Sequence, residues 1–278
     1  MNENRVTKYK NEINSIPMRK WTIEEMDFFF AILTKLKGKG TQEVVMSKHE
    51  LANLADYTIT HNKRYEETME RLGQHIQSLN YWEKTKNSFI TMPLFTRFKA
   101  TWSDDLSELE VRVKAHEDFE YMINNWDLGE WTAFQLKEFT SIRSTYSKTL
   151  FRLLKQWRTI GKVTFSIEQF RTQLSIPDSY SIGNIDNQII QTTLDDLKPF
   201  FNNLKVHKEK ANSRGNPVTG YIFTFKPEKT EPYNKNKYRK QKKETLPNWS
   251  QDDKENGINS SEVNDRLERL KKLRQERK

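Results

Sequence analysis

The stretch 144-STYSKTLFRLLKQWRTIGKVTFSIEQFRTQLSIPDSY-180 decides the fold of the second half of this chain. Its first part has helical periodicity, and Gly161 ends that helix. A β-prone run at 162–165 follows. Ser166 and Gln169 then form the capping-box pattern that begins a short helix. A helix, a strand and a capped helix in this order are typical of a winged helix-turn-helix domain. The residues of the first helix expected to face inward are Tyr146, Leu150, Leu153, Leu154 and Trp157.

The residues after this stretch complete the domain. The segment 184–199 has the pattern of another helix, and the alternating runs 203–210 and 218–226 predict a β-hairpin with a turn at 213–217. In helix-turn-helix proteins the second helix of the motif lies in the major groove of DNA. We therefore expect 184–199 to be the recognition helix and the hairpin to be the wing.

The first half of the chain repeats this order of elements. Thr22 and Glu25 form a capping pattern ahead of a long amphipathic helix, and Ser47 with Glu50 caps a short helix after a β-prone run. A further helix at 62–79 and period-two alternation from 81 to 113 complete the series. The second half reopens with a predicted short helix at 132–139.

The chain is therefore predicted to have an α+β fold with two tandem winged-helix domains, at 1–125 and 126–226, followed by a tail at 227–278. The tail has few apolar residues, so it cannot offset the entropy of ordering and is expected to be disordered, with a possible short charged helix at its end. It carries 15 Lys and Arg against 10 Asp and Glu. Much of the net charge of +9 thus lies in the tail, and the folded part is only mildly basic.

Composition and motifs exclude several classes of function. Cysteine is absent, which excludes disulfides and thiolate zinc sites, and the sequence lacks an apolar leader or spanning segment, so we expect a cytoplasmic protein with no membrane contact. Neither a phosphate-binding loop nor an HExxH motif occurs, and the five histidines are scattered. We therefore expect neither enzymatic activity nor a cofactor or metal site.

The predicted recognition helix carries several amide side chains, which can bond adenine bidentately. The candidates for base contact are Asn184, Asn187, Gln188 and Gln191.

Polar residues on neighbouring elements are candidates for phosphate contact, because backbone amides at a helix start favour anions and a wing reaches the DNA backbone. At the start of the long helix and on the wing these are Ser141, Arg143, Ser144, Tyr146, Lys148, Lys208, Lys210 and Arg214. In the first domain they are His61, Asn62, Lys63 and Arg64. Each could equally be a solvated polar group. The apolar strands from Phe89 to Phe98 offer a surface for pairing with another subunit.

The chain resembles the initiator (Rep) proteins of theta-replicating, iteron-containing plasmids, the RepE-like and RepB-like family, over about residues 15–226. The similarity lies in Met92-PLF, in the stretch 144–180 and in Gly220-YIFTF. In the predicted recognition helix this chain differs from better-known members of the family, because it has Asn and Gln where they have an arginine-rich pattern.

This resemblance implies winged-helix domains that bind repeated double-stranded origin sequences, the iterons, with the second domain making the main base contacts. It also implies monomers that initiate replication, dimers that repress their own promoter, and recruitment of the host initiator and replicative helicase. Two alternatives remain open on the sequence: a winged-helix transcriptional regulator without a replication role, and a scaffold that works through its tail.

Overall fold

The computed structural model of the protein describes residues 5–16, 18, 20–124 and 130–229. The chain divides into two units, 1–229 and 230–278. All described residues thus belong to the first unit, and the predicted disordered tail lies outside them from residue 230 onward. The predicted domain boundary at 125 and 126 also falls outside, so it stays a prediction.

The first winged helix has the predicted order of helices and strands. After strand β1 (Val6–Lys10) and a short 3-10 helix (Asn11–Ser15) come α1 (Ile23–Leu36), β2 (Val44–Ser47), α2 (Lys48–Leu54), α3 (Asn62–Ser78), β3 (Asn80–Lys84), β4 (Phe89–Pro93), β5 (Phe95–Trp102), β6 (Leu109–Ala115) and α4 (Glu117–Asn124). Strands β2, β6 and β5 form one antiparallel sheet in that order, and β3 pairs with β4.

The second winged helix follows the same plan. Its elements are β7 (Trp131–Gln135), α5 (Leu136–Thr140), α6 (Thr145–Gln156), β8 (Lys162–Ser166), α7 (Ile167–Leu174), α8 (Ile182–Asn184), a π-helical segment (Ile185–Ile190), α9 (Gln191–Leu197), β9 (Lys205–Lys210) and β10 (Val218–Thr224). The sheet order is β8, β10, β9, all antiparallel. The two tandem winged helices of the predicted fold class are thus confirmed.

The helix starts predicted from capping patterns are present. Thr22 accepts from the backbone of Glu25, whose side chain accepts from the backbone of Thr22, and Ser166 and Gln169 make the same reciprocal pair. Ser47 likewise accepts from the backbone of Glu50. These bonds satisfy helix-terminal amides that otherwise lack a partner.

The prediction of a helix throughout 132–139 is wrong in its first part. Residues 131–135 form β7, which pairs antiparallel with β1 in the register Val6 to Gln135, and only 136–140 are helical. The strand partner lies more than a hundred residues away in the sequence, so the local pattern of 132–139 did not reveal it.

Helix α1 lies between the two winged helices and packs against both. Phe28, Phe29 and Phe30 are all fully buried. The ring of Phe28 meets that of Tyr65 on α3 at a centroid distance of 5.3 Å, whereas Phe30 meets Phe139 on α5 at 4.7 Å. One core therefore continues from the first winged helix into the second.

Candidate nucleic-acid interface

The recognition helix of the second winged helix is formed by α8, the π-helical segment and α9 in unbroken succession. Ser181 caps it by accepting from the backbone of Asn184. Ile185, Ile189 and Ile190 are buried and hold the helix on the core. The side chains left exposed include all four predicted base-contact residues, Asn184, Asn187, Gln188 and Gln191.

The middle of this helix is wider than an α-helix because the segment Ile185–Ile190 is π-helical. Such π-turns are uncommon and occur often at functional sites. Asn187 and Gln188 lie within it, so the two central amides are presented on the least regular part of the helix.

Asp186 joins the recognition helix to the wing. Its carboxylate accepts a hydrogen bond from the hydroxyl of Tyr221 at 3.0 Å and an ion-paired bond from Nζ of Lys208 at 2.5 Å. Burial and this bond to Asp186 raise the pKa of Tyr221 well above its usual range, so the hydroxyl stays a donor. The sequence analysis missed Asp186, because its partners lie on strands 22 and 35 residues further along the chain.

The wing is the hairpin of β9 and β10. Lys210 and Arg214 are exposed near its turn, which uses positive φ values at Gly215 and Asn216. Lys208 is 41% exposed but already pairs with Asp186. The sequence predicted all three on the wing as phosphate contacts. The structure leaves Lys210 and Arg214 accessible near the turn, whereas Lys208 lies where the wing meets the recognition helix.

The residues before and at the start of α6 differ in what they can reach. Ser141 and Arg143 are exposed, and Ser144 caps the helix by accepting from the backbone of Ser147. Tyr146 is half-buried and lines a small cleft together with Gln173.

The assignment of Lys148 as a phosphate contact is wrong in this structure. Its side chain is fully buried, and Nζ donates to Oδ1 of Asp27 at 2.5 Å and to the backbone oxygen of Phe139 at 2.6 Å. Lys148 lies one turn after the helix start, on the face of α6 that packs against α1. It joins the two winged helices and cannot reach a phosphate from there.

In the first domain the four predicted contacts lie together at the start of α3, and all are exposed. Asn62 accepts from Nζ of Lys48 at 2.6 Å. Lys63 pairs with Glu66 and Arg64 with Glu24, although the side chains of Lys63 and Arg64 remain 70% and 60% exposed. Their ion pairs at such exposure are weak enough to be exchanged for a phosphate.

The predicted pairing surface comprises β4 and β5. Phe89 is 68% exposed, whereas Phe95 and Phe98 are half-buried against the core. Strand β5 lies at an edge of its three-stranded sheet, which leaves backbone groups on one side for another strand.

Comparison with known proteins defines the class. The fold consists of two tandem winged helices with an exposed recognition helix and wing, as in sequence-specific DNA-binding proteins. The family model described as Initiator Replication protein, WH1, matches residues 6–155, and that described as Initiator Rep protein, WH2, matches residues 166–225. The chain therefore belongs to the family of initiator replication proteins, which decides against a transcriptional regulator of unrelated role.

Two relatives illustrate the similarity. The probable replication protein rep of Bifidobacterium longum (strain NCC 2705) is 26% identical over 226 residues, which is 80% of this chain and 73% of that protein. A crystal structure of the Pi initiator protein in complex with iteron DNA is similar with a TM-score of 0.60 at 13% identity, covering 81% of this chain and 98% of that one. At this identity the second similarity shows the fold.

Within the described parts of the chain, no group of acidic and histidine side chains is arranged to hold a metal ion. Among the same residues, none of the helices combines the length and apolar character needed to span a bilayer.

Proposed function

We propose that this replication initiator binds repeated sequences, iterons, in the double-stranded origin DNA of a plasmid, and that the recognition helix of its second domain reads the bases. The observation that carries this proposal is the exposed row of Asn184, Asn187, Gln188 and Gln191 on a helix fixed to the wing by Asp186. Four amides on one groove-sized helix suit adenine-containing sites.

Phosphate contacts come from elements on either side of that helix. Lys210 and Arg214 at the wing tip, together with Ser141, Arg143 and Ser144 before α6, supply donors without base specificity. Tyr146 and Lys208 belong to the same set of proposed contacts. Because Tyr146 is half-buried and Lys208 is paired with Asp186, each would have to change its present contacts to reach a phosphate. In the first domain His61, Asn62, Lys63 and Arg64 make auxiliary contacts at the start of α3.

These contacts assign a different function to each of the two domains. Residues 126–226 carry the main origin contacts, and residues 1–125 carry auxiliary contacts and pairing with a second copy through β4 and β5. The protein acts without an enzymatic step and without a cofactor, in the cytoplasm. It helps to open the origin, recruits the host initiator and replicative helicase, and as a dimer represses its own promoter. The exposed Phe89 and the free edge of β5 support the pairing surface.

The proposal is tested first by footprinting the protein on the DNA that flanks its gene. We expect protection of tandem repeats of about two helical turns beside an AT-rich stretch. The protected repeat then serves as the specific duplex, and a shuffled duplex of the same composition serves as the non-specific one.

Substitutions separate base contacts from phosphate contacts. The double change Asn187→Ala and Gln188→Ala should cost about 1–3 kcal/mol on the repeat and little on the shuffled duplex. Changing Lys210 and Arg214 to Ala should weaken both duplexes alike and reduce the salt slope by about two. Gln74→Ala with Gln77→Ala, two exposed amides further along α3, is the matched control. Equal losses on both duplexes for the Asn187 and Gln188 variant would refute the assignment of base reading.

A further inference from the structure

A basic pocket lies at the far end of α1. It has a volume of about 440 Å³ and is lined by residues from the start of β1, the end of α1, the turn after it and the end of α2. Its lining residues are Arg5, Thr34, Lys35, Lys37, Lys39, Glu50, Asn53 and Leu54.

The lining has a strong excess of positive charge. Among the described residues it holds four cations against one carboxylate, that of Glu50, which is itself ion-paired with Lys35. Cations at the end of α1 are explained in part by the helix dipole, which favours positive charge at a C-terminus. That explanation does not extend to Arg5 and Lys39, because they belong to other segments of the chain.

Several of these cations are held in place by the protein. Nη2 of Arg5 donates to the side-chain oxygen of Asn53 at 3.3 Å, and Nζ of Lys37 donates to the backbone oxygen of Val6 at 2.7 Å. Side chains that are already positioned lose less entropy when a ligand binds.

The turn after α1 projects Lys39 toward solvent. Lys39 stands between Gly38 and Gly40, whose φ values are +76° and +58°. A side chain at Gly38 would meet no atom within 4 Å, so the core does not require a glycine there for space. The two glycines allow a left-handed turn that β-carbon-bearing residues rarely adopt, and Lys39 is exposed at its apex.

None of the residues that line the pocket is among the predicted DNA contacts of its domain. The opposite end of α1 touches the start of α3 through the ion pair of Glu24 and Arg64. Lys35 is eleven residues further along α1, which is about 16 Å at the rise of an α-helix. A concavity of about 440 Å³ admits a few side chains and not a DNA duplex, whose major groove alone is about 12 Å wide.

We propose that the basic pocket binds an acidic peptide segment of a partner protein. Carboxylates of the peptide pair with Arg5, Lys37 and Lys39, and the apolar wall formed by Leu54 accepts a neighbouring aliphatic side chain. The site goes beyond the proposed origin binding and uses none of the residues assigned to it.

The test uses the full chain and a short fluorescein-labelled peptide of glutamate and leucine, with the same peptide carrying glutamine as the uncharged probe. Binding is measured by fluorescence anisotropy at low salt. The variant Arg5→Gln with Lys39→Gln should weaken the acidic peptide by at least about threefold. The matched control is Lys20→Gln with Lys114→Gln, two exposed cations of the same domain that belong neither to the pocket nor to the proposed DNA and pairing contacts, and this variant should bind as the unaltered protein does.

Each outcome bears on the proposal. Unchanged peptide binding by the pocket variant, or an equal loss in the control variant, would overturn it. So would a loss of duplex affinity in the pocket variant, which would make the pocket a DNA contact. Peptide binding that is lost while duplex affinity and its sequence preference are kept supports the site, and it also separates this inference from the proposed origin binding.

Discussion

The buried ion pair of Lys148 and Asp27 makes a quantitative prediction about how the two winged helices hold together. Replacing Lys148 by Met removes the charge but keeps an unbranched side chain, one atom shorter, beside the ring of Phe139, where Nζ of Lys148 lies 4.3 Å from the ring centroid. It leaves the carboxylate of Asp27, whose side chain is 10% exposed, without its counter-ion. Breaking a buried pair from one side costs about 3–5 kcal/mol, and we expect a loss of this order in the free energy of unfolding at pH 8.

The loss should depend on pH. Burial raises the pKa of Asp27 to about 7, even though the ammonium group of Lys148 lowers it in part. Without Lys148 the pKa of Asp27 moves further up, while in the unfolded chain it stays near 3.8. At pH values between these two pKa values, the carboxyl of Asp27 is therefore protonated in the folded variant and ionised in the unfolded chain. The stability of the folded variant falls as the pH rises through this interval, whereas that of the unaltered protein stops falling near pH 7, where Asp27 ionises beside Lys148. The penalty of the substitution is therefore larger at pH 8 than at pH 5, by about 1 kcal/mol.

Urea unfolding at pH 5 and pH 8, followed by tryptophan fluorescence, measures both quantities. The double variant Lys148→Met with Asp27→Asn should recover much of the loss at pH 8, because a neutral amide replaces the unpaired charge. Duplex affinity and its salt slope should be unchanged for Lys148→Met, since a fully buried side chain reaches no phosphate. A loss under about 1 kcal/mol at pH 8, or an equal loss at both pH values, would refute the reasoning. A reduced salt slope of duplex binding in Lys148→Met would mean that Lys148 does contact a phosphate.

Two further predictions concern the end of the second winged helix. Gly161→Ala should lower the free energy of unfolding by about 2 kcal/mol or more, because φ is +75° and the new Cβ would lie 2.4 Å from the backbone oxygen of Phe225. Gly215→Ala, with φ of +85° but no atom within 4 Å, should cost only about 1 kcal/mol, and similar thermal shifts for both would contradict the steric cause. A chain ending at 229 should keep its stability and its origin binding. A chain ending at 226 loses Glu228, whose carboxylate accepts a hydrogen bond from Lys155 at 2.7 Å, so its free energy of unfolding should fall by about 1–3 kcal/mol. Urea unfolding and gel-shift titration check both, and loss of binding on removal of 230–278 alone would favour a protein that works through its tail.

Local signals in the sequence account for much of the fold. A capping box is complete within four residues, so Thr22 with Glu25 and Ser166 with Gln169 could be recognised without any tertiary information. Period-two alternation likewise predicted the strands between 81 and 113 and the two strands of the wing. The exposure of the amides on the recognition helix was also predictable, because the isoleucines between them define its buried face.

What the sequence did not reveal depends on partners far along the chain. Strand β1 has only five residues, and its partner β7 lies more than a hundred residues away, so 132–139 was interpreted from local helical preference alone. Lys148 follows the capped start of α6 as a phosphate-binding lysine would, and its partner Asp27 is 121 residues away. Periodicity assigns a face to a side chain, but only the tertiary structure says what covers that face.

The residues between the two winged helices are unusually polar for a buried junction, and this has a consequence for DNA recognition. Besides Lys148 and Asp27, the side chain of Asn14 donates to the hydroxyl of Thr132 at 2.9 Å, and the fully buried Arg152 lies over the ring of Phe30. Desolvation makes such groups a poor source of net stability, but each one penalises any arrangement in which it loses its partner. If the junction were apolar, one winged helix could shift against the other at little cost in free energy. A hydrogen-bonded junction favours a single arrangement, so it fixes the spacing between α3 and the recognition helix on which the proposed DNA contacts depend.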